Sequence, residues 1–167
     1  SKISPPRARI EIKWPNDLRY QKRKLGGILC ESFSNASQSF IVVGFGLNCV
    51  SSPEGLDQKT VSLSEMSGKT ITADDLREDL IQEVLCGIGS LSQGIDHVQA
   101  DYDLLAEFKA GAPVQWKTDD GKLQFGKVHG LGDSGELIVR LADGRQIPLL
   151  TEEIFEFRDE AAEKEVF

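Results

Sequence analysis

Hydrophobic and polar positions change their rhythm twice along the chain. From Arg9 to Trp14 they alternate, with Ile10, Ile12 and Trp14 on one side and Arg9, Glu11 and Lys13 on the other, which predicts a strand. A polar turn, Trp14-Pro15-Asn16-Asp17, precedes a short strand over 18–20, a turn at Gln21-Lys22-Arg23 and a longer strand over 25–33. The small polar loop Ser34-Asn35-Ala36-Ser37-Gln38 leads into the apolar run 40–48, which reads as a strand buried on both faces.

The rhythm then becomes helical. Ser62-Leu63-Ser64-Glu65 has the form of a capping box and opens a short helix that Gly68 ends. Thr72-Ala73-Asp74-Asp75 repeats the start signal. Behind it Leu76, Leu80, Ile81, Val84, Leu85, Ile88 and Leu91 make one stripe at spacings of three and four, expected to pack into a core. A second helix is expected over 95–108, with Val98, Tyr102, Leu105 and Phe108 on one face.

At Ala110-Gly111-Ala112-Pro113 the period returns to two. Short strands are predicted over 114–117, 123–128, 137–140, 146–149 and 154–157, separated by Asp119-Asp120-Gly121, Gly132-Asp133-Ser134-Gly135 and Ala142-Asp143-Gly144. Five short strands with such turns read as a small antiparallel barrel of the SH3-like class. The expected division is therefore a first domain over 1–109, a barrel over 110–158 and an acidic, fraying tail over 159–167.

Composition narrows the class. With 40% hydrophobic and 28% charged residues, the chain is that of a soluble globular protein. No apolar run approaches the roughly 18–20 residues of a membrane span, and Ser1–Pro6 has no apolar core of the kind a secretory signal needs. The net charge of −8 argues against a general nucleic-acid binder. Positive charge gathers early, at Arg7, Arg9, Lys13, Arg19, Lys22, Arg23 and Lys24, which suits either a small anionic ligand or a solvated face. Cys30, Cys49 and Cys86 are too widely spaced for a zinc site or a disulfide framework; Cys30 and Cys49 read as small buried hydrophobes in a reducing compartment.

Candidate chemistry lies in Lys13–Glu31. Pro15 stiffens the turn, and Asn16 and Asp17 can bond their own backbone. Lys24 sets an ammonium beside Gly26-Gly27, where bare main chain lets a ligand approach. The same residues would also serve an ordinary hairpin. Gly44-Phe45-Gly46 lacks the third glycine and the following helix of a dinucleotide fingerprint, and that reading is rejected. Asn48, at the strand end, has groups suited either to a purine edge or to a loop backbone. His97 and His129 have no catalytic or ligand partner in the sequence.

Lys13-Trp14-Pro15-Asn16-Asp17-Leu18, then Arg23-Lys24-Leu25-Gly26-Gly27-Ile28-Leu29 and Glu31, closely resemble the central signature of biotin–protein ligases, also called holocarboxylase synthetases. Gly44-Phe45-Gly46-Leu47-Asn48 is similar to that family's Gly-x-Gly-(Ile/Leu/Phe)-Asn strand end. The resemblance is specific over residues 13–48 and architectural after residue 110. It implies an α+β fold, a mixed sheet with packed helices of the class II synthetase-like biotin/lipoate ligase type, followed by the SH3-like barrel.

The implied activity is activation of biotin with MgATP to biotinyl-5′-AMP, then transfer of biotin to a lysine of a carboxylase biotin-carrier domain. By matching positions, Lys24 would contact the biotin carboxylate and the adenylate phosphate, with Asp17 as the second catalytic residue and as a Mg²⁺ ligand or orienter of the incoming lysine. Gly27 would offer backbone to biotin. Lys13, Trp14, Asn16 and Asn48 would bind the nucleotide, Asn48 reading adenine. ATP, biotin and Mg²⁺ are the implied small molecules, with no nucleic acid or membrane as a partner of this segment. A cytoplasmic location is expected, with an organelle such as a chloroplast or mitochondrion left open.

One departure matters. The family's Gly-Arg-Gly-Arg loop and biotin ureido pocket lie upstream of this signature, and no Gly-Arg-Gly occurs here. The chain is therefore expected to be the C-terminal half of a catalytic domain whose N-terminal half is a missing partner, weak as a catalyst alone. A lipoate–protein ligase and a non-catalytic ligase-fold module that docks a carrier domain are the competing readings.

Overall fold

The computed structural model describes residues 9–35, 37–56, 58–90, 94–152 and 154–157. The lead-in Ser1–Ala8 with Arg7, the residue Leu91 of the apolar stripe and the acidic tail 159–167 lie outside the described residues. The chain forms two compact units, Ser1–Gly94 and Ile95–Phe167. The change of period falls later, at residue 110.

In the first unit β1 (Glu11–Lys13), β2 (Asp17–Tyr20), β3 (Arg23–Ser34) and β4 (Ser39–Leu47) form a sheet in sequence order. Every ladder is antiparallel, which corrects the expected mixed sheet; the parallel pairing described is the isolated bridge of Lys24 with Thr60. Successive hairpins allow only antiparallel neighbours. The β2–β3 hairpin turns through Gln21 (φ 50°) and Lys22 (φ 62°), with Tyr20 paired to Arg23. Positive φ at both central residues matches the right-handed twist of the strands, although neither residue is a glycine or asparagine.

β3 and β4 do not have two buried faces. Leu29 is 58% exposed and Ile41 64%, and these two stand on opposite sides of the sheet, because Leu29 pairs with Gly44 and Ile41 with Ser32. Phe33, Phe40, Val42 and Cys30 are exposed as well, so Cys30 is not the buried hydrophobe expected. The apolar run is real, yet no described element covers it.

Ser62 caps α1 (Leu63–Ser67) as the sequence predicts: its Oγ accepts from the amide of Glu65, and Gly68 closes the helix in the left-handed region. Next, α2 (Arg77–Ser90) follows Thr72 and Asp75, whose carboxylate accepts from the amide and hydroxyl of Thr72. Its stripe is not core. Ile81, Leu85 and Ile88 are exposed, and α2 has no buried residue.

The second unit has α3 (Asp96–Leu105) and β5 (Pro113–Lys117), β6 (Leu123–Leu131), β7 (Leu137–Arg140), β8 (Gln146–Leu149) and β9 (Ile154–Glu156). All ladders are antiparallel, in the order β8-β7-β6-β5-β9. Period-two alternation sends Val114 and Trp116 of β5 inward with Val139 and Leu149, where all four are fully or almost fully buried. Tyr102 of α3 is buried, whereas Leu105 of the same expected face is exposed. The barrel is not found closed among the described residues: β8 and β9 remain the two edges of a sheet. No described helix is long and apolar enough to cross a membrane.

Candidate functional site

The site is built around an irregularity in β3. Residues an odd number apart in a regular strand face opposite sides, so Lys24 and Gly27 should look away from each other. They do not. Asp17 pairs with Gly27 and Leu18 with Gly26, but Arg19 pairs with Lys24, leaving Leu25 as an extra residue in a bulge. A bulge re-aims the side chains beside it. Lys24 Nζ thereby reaches Asp17 Oδ1 at 2.6 Å, on the side where a Cβ at Gly27 would stand 3.5 Å from that same oxygen.

Main chain fixes this corner. Ile28 donates to the carbonyl of Asn16 at 2.9 Å, tying the polar turn to β3. The Trp14-Pro15 peptide bond is cis. Lys24 donates its amide to Lys59 O at 2.8 Å, and its carbonyl accepts from Val61 N at 3.0 Å. Asn48 continues the stitching. Its amide N–H bonds Leu25 O at 2.9 Å, and its Nδ2 bonds Lys24 O at 3.3 Å and Val61 O at 3.1 Å.

A cleft of about 630 Å³ opens over this corner, lined by Asn16, Asp17, Lys24, Gly27 and Asn48 and by Pro53, Leu56, Gln58 and Thr60 of the loop after β4, among others. Five of the seven residues singled out in the sequence therefore meet in one cleft. Lys13 and Trp14 do not line it; both are buried, at 4% and 5% exposure, behind the turn. Their place in β1 and the turn makes them support for the corner rather than part of its surface.

Sequence reasoning missed the loop residues of the cleft. Residues 53–60 carry no periodicity; among the described ones, Lys59 O accepts from the Lys24 amide beside the Lys24–Thr60 bridge, the Thr60 hydroxyl donates to Pro53 O at 2.7 Å, and Gln58 Oε1 accepts from Arg19 Nη2 at 3.3 Å. Arg23 also pairs with Glu65 of α1. A Ser-x-x-Glu motif signals the helix start, not that its glutamate would meet an arginine of β3.

The corner presents one ammonium, one carboxylate and bare backbone to a cleft, a set that can bind and neutralise an anion. As a resident metal site it is poor. Asp17 Oδ1 already faces the Lys24 ammonium, and no group of three or more His, Cys, Asp or Glu that could hold a metal occurs among the described residues. One carboxylate suffices only for a Mg²⁺ that arrives on phosphates.

Comparison with known proteins agrees with this part of the chain. Residues 3–48 match the model of the Biotin/lipoate A/B protein ligase family. Over 156 residues, 93% of this chain, the sequence is 27% identical to a biotin-(acetyl-CoA-carboxylase) ligase of Mycobacterium tuberculosis and covers 56% of that protein. A ligase of the same name from Paracoccus denitrificans is 30% identical over 156 residues, with 85% of this chain and 61% of that protein covered. The chain thus spans little more than half the length of these relatives. Among solved structures, the biotin protein ligase of Aquifex aeolicus in complex with biotin and ATP matches with a TM-score of 0.70 at 21% identity, covering 90% of this chain and 62% of that one; at this identity the likeness is one of fold.

Proposed function

We propose that this chain, whose residues 3–48 match the model of the Biotin/lipoate A/B protein ligase family, carries the C-terminal part of a biotin–protein ligase that joins biotin to a lysine of a carboxylase carrier domain at the expense of ATP. The observation that carries this reading is the Lys24 ammonium held 2.6 Å from Asp17 in a cleft walled by bare glycine backbone.

The chemistry follows from charge. In the first half-reaction the biotin carboxylate attacks the α-phosphorus of ATP, the bond to the β-phosphate breaks, and pyrophosphate leaves. Two anions must approach, and charge builds on the phosphoryl oxygens. Lys24 supplies a flexible point charge at that place. Before substrate arrives Asp17 holds the ammonium in position. Once the carboxylate and phosphate are bound, the ammonium turns to them and the Asp17 carboxylate is released to face the incoming lysine. In the second half-reaction that lysine, as the free amine, attacks the acyl carbon and AMP departs.

Gly27 leaves its backbone open to biotin, and Asn16 sits at the nucleotide end of the turn. Mg²⁺ enters with the phosphates of ATP, where the free oxygen of Asp17 is the carboxylate this chain offers it. Lys13 and Trp14, buried as they are, act on the nucleotide through the shape of the turn. Apolar side chains exposed on both faces of β3 and β4 call for covering layers, which we assign to the remainder of the ligase domain. The order of the small sheet, whose first strand pairs with both the second and the fifth, supports the SH3-like reading of this unit, which would serve carrier docking.

Biotin-dependent exchange of pyrophosphate into ATP, measured on the full-length gene product, tests the reading. Exchange that requires biotin and is lost in Lys24→Ala supports it. Exchange with lipoate in place of biotin, or none with either, overturns it.

A further inference from the structure

The registers of the second sheet divide its side chains between two faces, because residues directly opposite one another in an antiparallel ladder share a face. Val114, Trp116, Val139 and Leu149 take the buried one. The other carries Gln115 between Phe125 and Phe155, with Lys127 opposite Arg140. Phe157 joins it through its ring, whose centre lies 4.8 Å from that of Phe125. Phe157 is half-buried, and the other two phenylalanines are exposed, as are Lys127 and Arg140. This face therefore has an aromatic centre and a cationic side.

Its charges are not arranged for the stability of the chain itself. Lys127 and Arg140 stand directly opposite, where like charges repel. What Arg140 meets instead of a carboxylate is His129, whose Nδ1 lies 3.4 Å from Nη2. In the turns of the same unit the cations are neutralised, Lys122 by Asp120 and Arg145 by Asp143. Lys127 and Arg140 have no such partner among the described residues, and no Asp or Glu is paired on their side of the ladders. Exposed aromatic rings beside an arginine are the composition of the energetic centre of a protein interface.

We propose that this face docks the protein substrate: a patch of the carrier domain with an apolar centre for the phenylalanines and carboxylates set against Lys127 and Arg140. The inference rests on the ligase reading, in which the carrier is the macromolecule that must be bound. The geometry favours it over other occupants. A second copy meeting the face about a two-fold axis would set these cations against their own counterparts. A nucleic-acid strand uses open ring faces on which bases stack, whereas Phe125 and Phe157 pack on each other with their planes 56° apart. A net charge of −8 also repels a polyanion at long range. A folded patch with a few carboxylates meets the cations only at close range, where the local charge decides.

Kinetics with the full-length gene product and an unbiotinylated carrier domain decide it. The double variant Lys127→Glu, Arg140→Glu reverses the charge, and Phe125→Ser removes the central ring. Each should raise KM for the carrier in biotin transfer about tenfold or more. Each should leave biotin-dependent pyrophosphate exchange, which uses no carrier, within about twofold of the unsubstituted rate. Added salt should raise the carrier KM of the unsubstituted protein and not that of the charge-reversed variant. A carrier KM within about twofold of the unsubstituted value in both variants overturns the proposal. So does an equal loss of exchange, which would place the face in the first half-reaction. Dimerisation abolished by Phe125→Ser, or binding of a single-stranded oligonucleotide abolished by the charge reversal, with the carrier KM unmoved, would overturn it in favour of a second copy or a nucleic acid. If Phe125→Ser fails to fold, Phe155→Ser on the edge strand takes its place. Direct titration of the labelled carrier domain separates this inference from the reading beneath it. Carrier binding that both variants weaken, in a protein without biotin-dependent exchange, would keep the docking face and sink the ligase reading. No carrier binding, in a protein that does exchange, would sink the docking face alone.

Discussion

Gly26 lies so close to Gly46 across the β3–β4 ladder that a Cβ on the first would stand 2.2 Å from the carbonyl oxygen of the second. The obstacle is backbone in a paired strand, which has nowhere to move without breaking the ladder. Gly26→Ala is therefore expected to destabilise the first unit by about 3 kcal/mol, the upper part of the range for overpacking. Chemical denaturation of the variant checks this; a midpoint equal to that of the unsubstituted protein would contradict the packing described.

Lys24→Ala removes the cation of the cleft and should reduce adenylation by about 2–4 kcal/mol of transition-state stabilisation, the scale of losing one preorganised donor. Asp17→Asn leaves the ammonium in place but without its counter-charge. Because the pair is partly exposed, the expected cost in stability is about 1 kcal/mol or less. Pyrophosphate exchange should survive Asp17→Asn better than transfer to the carrier lysine does. Equal loss of both steps would remove Asp17 from the second half-reaction.

Ser62→Ala deletes the cap of α1, where the hydroxyl accepts from Glu65 N at 3.1 Å. About 1 kcal/mol of stability should go with it. The same serine donates to Val50 O at 3.3 Å, so Ser62→Thr, which keeps the hydroxyl, should recover most of the loss in a thermal melt.

Acid should loosen the second unit, where three depressed carboxylates lie, and also the start of α2, where the hydroxyl and amide of Thr72 hold Asp75 below the usual carboxylate range. Asp120 is held below the usual carboxylate range first by the Lys122 ammonium and then by the Thr118 hydroxyl, and Asp143 by the amide and then the guanidinium of Arg145. Burial pushes Glu152 upward, yet the amides of residues 150–152 outweigh it and its carboxyl is also lowered. A carboxylate depressed by folding adds stability above its unfolded value and loses it as pH falls through the folded one. Unfolding temperature should therefore be flat from neutrality to about pH 4.5 and fall below about pH 4, where free carboxylates begin to protonate. Replacing Asp120, Asp143 and Glu152 by Asn, Asn and Gln should lower the neutral-pH value and flatten the acid limb. An acid limb of unchanged slope would count against these turns as its source.

Much of this was legible in the sequence because it is local. Strands β7 and β8 and the caps of α1 depend on alternation, Asp-Gly turns and a Ser-x-x-Glu spacing, all decided within a few residues. Lys24, Asp17 and Gly27 were found by motif, but their common face was not, since it depends on one unpaired residue in a ladder that strict alternation cannot foresee. Burial misled for a different reason. The stripe on α2 and the apolar run of β4 report that a surface is meant to be covered, not which segment covers it. Asn48 shows the same limit at the scale of a side chain: that its Nδ2 meets the carbonyls of Lys24 and Val61 follows from how separate segments come together, which no local pattern carries.

The strand order of the small sheet bears on synthesis at the ribosome. Val114 on β5 pairs with Glu156 on β9, so the strand made first in that sheet waits for the strand made last. Until residue 156 has emerged, β5 presents one edge to the surrounding solution while β6, β7 and β8 are already free to zip together. A stop codon at residue 154 would remove β9 together with all that follows it and leave that edge open for the life of the protein, and such a truncated chain should be cleared by proteolysis far faster than the small loss suggests.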